Sequence, residues 1–179
     1  MLKQLVKFDT QLSWRFTLAS NSAWRQWATL IAHVGDGPYV FGGLGLVYML
    51  GWLLNDPVLR SADVSVALDV LASMALVTLI KFTIRRQRPR PPGEFVAFPY
   101  DIYSFPSGHS ARLAALAMGT VLVYPILGGL LWLITLAVAA ARVVVGVHYV
   151  SDIVAGLGLG ILVAWLVSTL LPLLPMPLS

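Results

Sequence analysis

Residues 126–152, ILGGLLWLITLAVAAARVVVGVHYVSD, decide how this chain is read. From Ile126 to Ala141 the residues are apolar or small apart from Thr135, and Arg142 brings the first charge. At 1.5 Å per residue, a helix over 126–145 spans a hydrocarbon core of roughly 30 Å. The chain then passes Gly146, His148 and Asp152 and enters a second apolar run, 149–171. A polar cluster therefore sits where a helical hairpin turns at a membrane surface.

Working outward, two more polar clusters mark the ends of apolar runs. KFTIRRQRP, Lys81 to Pro89, closes a run over 62–81, and PSGH, Pro106 to His109, opens one over 107–124. A further run over 38–55 ends at Asn55, Asp56 and Pro57. Counting crossings places the end of the second span, the start of the third and the junction of the fourth and fifth on one side. All three clusters then meet at one bilayer surface.

The expected fold is all-α: a polytopic membrane helix bundle of about five or six transmembrane helices with interfacial N-terminal helices. One domain covers 1–179, with 1–35 as the interfacial segment and 36–172 as the bundle core. Residues 1–21 mix apolar and charged side chains as an interfacial helix does, and Trp24 and Trp27 suit a headgroup-level anchor. The stretch before Asp9 lacks the apolar core of a cleaved signal peptide. Residues 82–106 form a proline-containing loop in which a short helix has room.

Composition agrees with this reading. Hydrophobic residues make up 58% and charged residues 11%, against about 25% charged in a soluble domain. The net charge of +4 is small and concentrated, which argues against a nucleic-acid surface. With no cysteine, disulfides and thiolate metal sites are excluded.

The clustered residues suit phosphate chemistry. Lys81, Arg88 and Arg142 are cations that pair with phosphate oxygens. Ser107 and Gly108 stand at a helix start, where backbone N–H groups and the helix dipole favour an anion. His109 and His148 are a proton-transfer or nucleophile pair. Asp152, four residues after His148, can fix that ring's tautomer and leave its other nitrogen to attack. A zinc site on His109, His148 and Asp152 is the chemical rival, but the surrounding cations repel a metal ion.

Taken singly, each cluster has a plainer reading, as anchoring charges, a common helix start or an interfacial histidine. Seven such residues on one predicted face do not. Asp69, inside the second span, is read first as a packing or hydrogen-bonding group. Arg112, one turn after His109, has two open readings: a second-phosphate contact, or a side chain snorkelling to the interface.

The pattern Lys81–x6–Arg88–Pro89, Pro106–Ser107–Gly108–His109, and Arg142–x5–His148–x3–Asp152 resembles the signature of the type-2 phosphatidic acid phosphatase superfamily. Ala141 departs from it, standing where the family usually has Ser. The resemblance implies a small bacterial membrane lipid phosphatase. It implies His148 as nucleophile, Asp152 as its partner, His109 as general acid, and Lys81, Arg88, Ser107, Gly108 and Arg142 as phosphate binders. No metal or other cofactor is implied. The implied substrate is phosphatidylglycerol phosphate, phosphatidic acid or undecaprenyl diphosphate entering from the bilayer, with no nucleic acid and no obligate protein partner. The implied location is the inner membrane, with the site facing the extracytoplasmic side. The arginines of 82–106 argue the other way by the positive-inside rule. A lipid phosphotransferase and a non-catalytic lipid-phosphate transport protein are the alternatives.

Overall fold

The computed structural model describes residues 2–89 and 102–170. The 90–101 part of the expected loop, with Arg90, and the tail after residue 170 lie outside the described residues. Seven helices run in order: α1 Leu2–Phe16, α2 Ala23–His33, α3 Gly37–Leu53, α4 Pro57–Ile84, α5 Gly108–Val123, α6 Pro125–Val144 and α7 Val150–Leu170. Among the described residues there is no strand.

Helices α3 to α7 fall on the five expected apolar runs. Three of them, α4, α6 and α7, are long and apolar enough to cross a membrane. At 17 and 16 residues, α3 and α5 are shorter. One boundary differs from expectation. α4 begins at Pro57, not near 62, because the Asn-Asp-Pro sequence that ends α3 also starts its successor. Asp56 is the N-cap, accepting from the Val58 and Leu59 N–H groups at 3.0 Å. Pro57 suits the first helical position, where no N–H is needed.

α5 is the central helix, packed by α4, α6 and α7. Its side chains from His109 to Ala115 are all buried. α7 comes closest to it because two glycines face it. A Cβ on Gly156 would lie 2.5 Å from the Ser107 carbonyl oxygen, and one on Gly160 would overlap that of Ala111. The outer surface carries large apolar side chains, among them Trp52, Leu79, Ile126, Leu133 and Trp165. That is the surface a bilayer solvates and water does not.

The buried stripes explain how charges reach the interior. On α4 the inward residues Val66, Val70, Ser73 and Val77 recur every three or four positions, and Lys81 is the next on that face. On α6, Gly128, Thr135 and Val138 lead in the same way to Arg142. On α7, Asp152 begins the stripe that Gly156, Gly160 and Val163 continue. Each stripe packs the bundle along its length and presents one ionisable group at the same end.

α1 and α2 lie at that end. With 15 and 11 residues they rise about 22 and 16 Å, short of the ~30 Å core. α2 packs on α6. α1 reaches α6 and α7, and just beyond it the Leu18 N–H donates to the Val144 carbonyl at 2.9 Å.

Candidate active site

His148 stands in the turn between α6 and α7. Gly146 makes the turn possible with φ 85°, a conformation that costs a side-chain-bearing residue energy. The N–H groups of Val147 and His148 both donate to the Arg142 carbonyl, at 3.1 and 3.3 Å. The ring is thereby held beside the Arg142 side chain, whose Nη2 lies 3.5 Å from Nε2. The other ring nitrogen, Nδ1, faces Asp152 Oδ2, also at 3.5 Å. That is ion-pair range but long for a hydrogen bond.

His148 is fully buried, and burial is the main force on its titration. The nearby Arg142, Arg88 and Lys81 charges and His109 act in the same direction. Together they hold its pKa well below the usual 6.5, so the ring is neutral at physiological pH. Lys81, Arg88, Arg142 and His109 thus surround one imidazole, drawn from three separate stretches of chain. Lys81 Nζ also donates to the Tyr103 carbonyl at 2.7 Å, anchoring the cation on the chain that leads into α5.

Ser107 is the N-cap of α5, and its Oγ accepts from the Ser110 hydroxyl at 3.0 Å. Its backbone N–H is committed: it donates to the Asp152 carbonyl at 2.9 Å. The expectation that this N–H meets phosphate is therefore corrected. The close packing of α7 on the start of α5 captures it first. Gly108 lies beside Val77 and Lys81, where a Cβ would be in ordinary contact. Ala141 packs with Ala32, Val145 and Val147, so the position where the family usually has Ser is apolar here.

His109 has a partner that the motifs do not contain. Its Nε2–H donates to Asp36 Oδ1 at 2.5 Å, while His33 Nδ1–H donates to Asp36 Oδ2 at 2.8 Å. Burial pushes the Asp36 pKa up, but the two histidine hydrogen bonds outweigh it and carry the value down to about 2. Asp36 ends the turn between α2 and α3. In the sequence it is lost among the breakers Gly35, Gly37 and Pro38. Arg112 and Arg142 both act on His109 electrostatically. A Cβ on Gly37 would lie 3.0 Å from Arg112 Nη1, so Arg112 shares the cleft with His109 and Asp36.

Arg86 is the other group that sequence reasoning passed over. It donates to Asp152 Oδ1 at 2.7 Å and to Asp9 Oδ2 of α1 at 2.6 Å. Asp69 is elsewhere, packed against Gly119 in mid-bundle.

Two imidazoles set among buried cations at one end of the helical bundle form a site suited to phosphate chemistry. Residues 63–174 match the family described as the PAP2 superfamily. The chain belongs to that superfamily. It is 33% identical over 147 residues to "Probable lipid phosphate phosphatase beta" of Arabidopsis thaliana, covering 64% of this chain and 68% of that protein. It is 38% identical over 102 residues to the decaprenylphosphoryl-5-phosphoribose phosphatase of Mycobacterium tuberculosis, covering 53% of each. Its fold is similar to that of the PAP2-type phosphatidylglycerolphosphate phosphatase of Bacillus subtilis. That likeness has TM-score 0.76 and 22% identity, covering 98% of this chain and 90% of that one.

Proposed function

We propose that this protein hydrolyses a phosphomonoester or diphosphate carried on a lipid, through a phosphohistidine formed on His148. The observation that carries the reading is the neutral His148 ring set among Lys81, Arg88 and Arg142. With Nδ1 turned to Asp152, Nε2 holds the lone pair and attacks phosphorus in line. The three cations, the Ser107 hydroxyl and the Gly108 N–H hold the phosphoryl oxygens as charge spreads over them. His109, which takes up a proton once the substrate phosphate offsets the Arg142 and Arg112 charges beside it, gives that proton to the leaving lipid oxygen. Since Nε2 is engaged by Asp36, Nδ1 is the atom that delivers it. Neutral His109 then takes a proton from water, whose hydroxide attacks the phosphohistidine. Inorganic phosphate leaves, His148 is neutral again and His109 is again protonated. The chain's own cations supply the positive charge, and no metal or cofactor takes part in these steps.

A groove supports a lipid as the phosphate carrier. A cavity of about 390 Å³ lies between α3, α4, α5 and α6. It begins at Val34 and Tyr39, beside Asp36, and follows α5 from Leu113 through Leu116 and Thr120 to Tyr124. That is a rise of about 16 Å, or roughly one leaflet. Its lining is almost wholly apolar and suits one hydrocarbon chain whose phosphate reaches Arg112 and His109. Phosphatidylglycerol phosphate, phosphatidic acid and undecaprenyl diphosphate all meet this description, and a second phosphate would fall to Arg112. We place the protein in the inner membrane with its site on the extracytoplasmic side. Arg86 satisfies Asp9 and Asp152, so it need not mark a cytoplasmic loop.

The test is a panel of these lipids, labelled with 32P and assayed with purified protein in detergent. Released phosphate, vanadate inhibition and label trapped on the wild type but not on His148→Ala are expected. Label appearing on a second lipid would make the protein a phosphotransferase. Full activity in His148→Ala would end the nucleophile assignment.

A further inference from the structure

Neither the family pattern nor the catalytic steps above use Arg86 or Asp9, yet both charges make several bonds at the site. The Arg86 guanidinium makes four contacts. Nη1 donates to Asp152 Oδ1 and to Ser151 Oγ, both at 2.7 Å, and Nη2 donates to Asp9 Oδ2 at 2.6 Å. Its Cζ also lies 3.9 Å from the Tyr149 ring centre.

Asp9 in turn serves the first turn of α7. Its Oδ1 accepts from the Ser151 N–H at 3.1 Å, and its Oδ2 accepts from the Ser151 hydroxyl at 2.6 Å. One turn further along α1, Ser13 Oγ accepts from the Val150 N–H at 3.0 Å. Tyr149, the residue before α7, has no side chain able to cap a helix. Asp152 Oδ2 reaches back to accept the Tyr149 N–H at 2.9 Å, and α1 takes the next two donors. The Asp9 carboxylate also sits at the positive end of the α7 dipole. Burial would raise its pKa, but the bonds from Ser151 and Arg86 prevail and lower it, so it is charged at neutral pH.

We propose that Arg86, held in place by Asp9 of α1, is a positioning residue that fixes the Asp152 carboxylate and sets the basicity of His148. The two oxygens of Asp152 then have separate duties. Oδ1 is bound to Arg86. Oδ2 accepts the Tyr149 N–H and faces His148 Nδ1. Arg86 neutralises part of the carboxylate charge, which keeps the imidazole neutral and its Nε2 lone pair available. The other groups acting on His148 are Arg142 from α6, Lys81 from α4, Arg88 from the chain after α4 and His109 from α5. The interfacial helix α1 thereby becomes part of the catalytic apparatus at one remove, through Asp9 and Ser13.

The proposal rests on His148 being the nucleophile, and its test keeps the two apart. Arg86→Gln, Arg86→Lys and Asp9→Asn are made in the full chain. Each is assayed in detergent with phosphatidic acid and with p-nitrophenyl phosphate across the acid pH range. Arg86→Gln is expected to lower kcat about 10- to 100-fold, the scale of an outer partner of a functional histidine, with KM little changed. The acid limb of kcat/KM should move up by about one pH unit, because an uncompensated Asp152 attracts the imidazolium form. Arg86→Lys should restore much of both, and Asp9→Asn should give a smaller shift in the same direction.

A raised KM with unchanged kcat would make Arg86 a substrate ligand and overturn the proposal. So would a fall in kcat with an unmoved acid limb. If Arg86→Gln does not fold, Arg86→Lys and Asp9→Asn decide by their acid limbs alone, and two unmoved limbs would refute it. Trapping of 32P on the wild type, absent in His148→Ala, reports on the nucleophile independently. Its failure would remove the underlying reading whatever the Arg86 variants do.

Discussion

Asp36→Asn is the sharpest perturbation of the proposed acid. The carboxylate joins His33 to His109, and its side chain is only 14% exposed, so solvent screens it little. Its pKa falls from the ordinary 3.8 to about 2, a difference corresponding to ~2 kcal/mol of folding stability. The sign follows from the depressed value. The contribution is fully present above pH 3.8 and is lost as pH falls through about 2. Asn keeps the shape but loses the charge, and its amide N–H₂ must face one of the two histidines. Thermal unfolding in detergent should therefore show the variant less stable at neutral pH, with the gap closing in the acid window just given. The same change removes the anion that favours protonated His109. The base limb of kcat/KM should move to lower pH, and the rate at neutral pH should fall by about 10-fold or more. A variant with the wild-type base limb, and a stability deficit as large in strong acid as at neutrality, would refute the reasoning.

Because burial and neighbouring cations depress the His148 pKa, the wild-type acid limb should lie below pH 6.5; a limb above that value contradicts a neutral buried nucleophile. Gly160→Val would drive a side chain into the Ala111 carbonyl and Ala114. A loss of about 1–3 kcal/mol is expected, read as a lower melting temperature, and unchanged stability would mean that α5 and α7 are not packed so closely. Leu116→Trp would fill the groove along α5. KM should rise for phosphatidic acid and stay level for p-nitrophenyl phosphate, whereas an equal effect on both would disconnect the groove from the lipid chain.

Much of the site was legible because its parts lie at the ends of amphipathic or apolar runs. Lys81 continues the stripe of Val70, Ser73 and Val77, and Arg142 that of Thr135 and Val138. Spacing along one helix is enough to place such residues. Asp36 and Arg86 had no comparable signal. Asp36 looks like one more turn residue between two glycines, and Arg86 like one more charge in a basic loop. Their meaning comes from contacts 73 and 66 residues away, to His109 and Asp152. Asp9 is hidden in the same way, since an acid on an interfacial helix is ordinary until α7 is seen to lack its own cap.

The sequence by itself determined the helical membrane bundle, the end of it at which the polar clusters gather, and the imidazoles and cations gathered there. Hydrophobic period and span length are local properties, and they carry that information. Only the tertiary structure decided how each charge is partnered: Asp36 between two histidines, Arg86 between two carboxylates, and the Ser107 N–H taken by Asp152. A buried charge or donor is satisfied by whatever the packing brings within about 3 Å of it. Which group that will be depends on how helices distant in sequence come together.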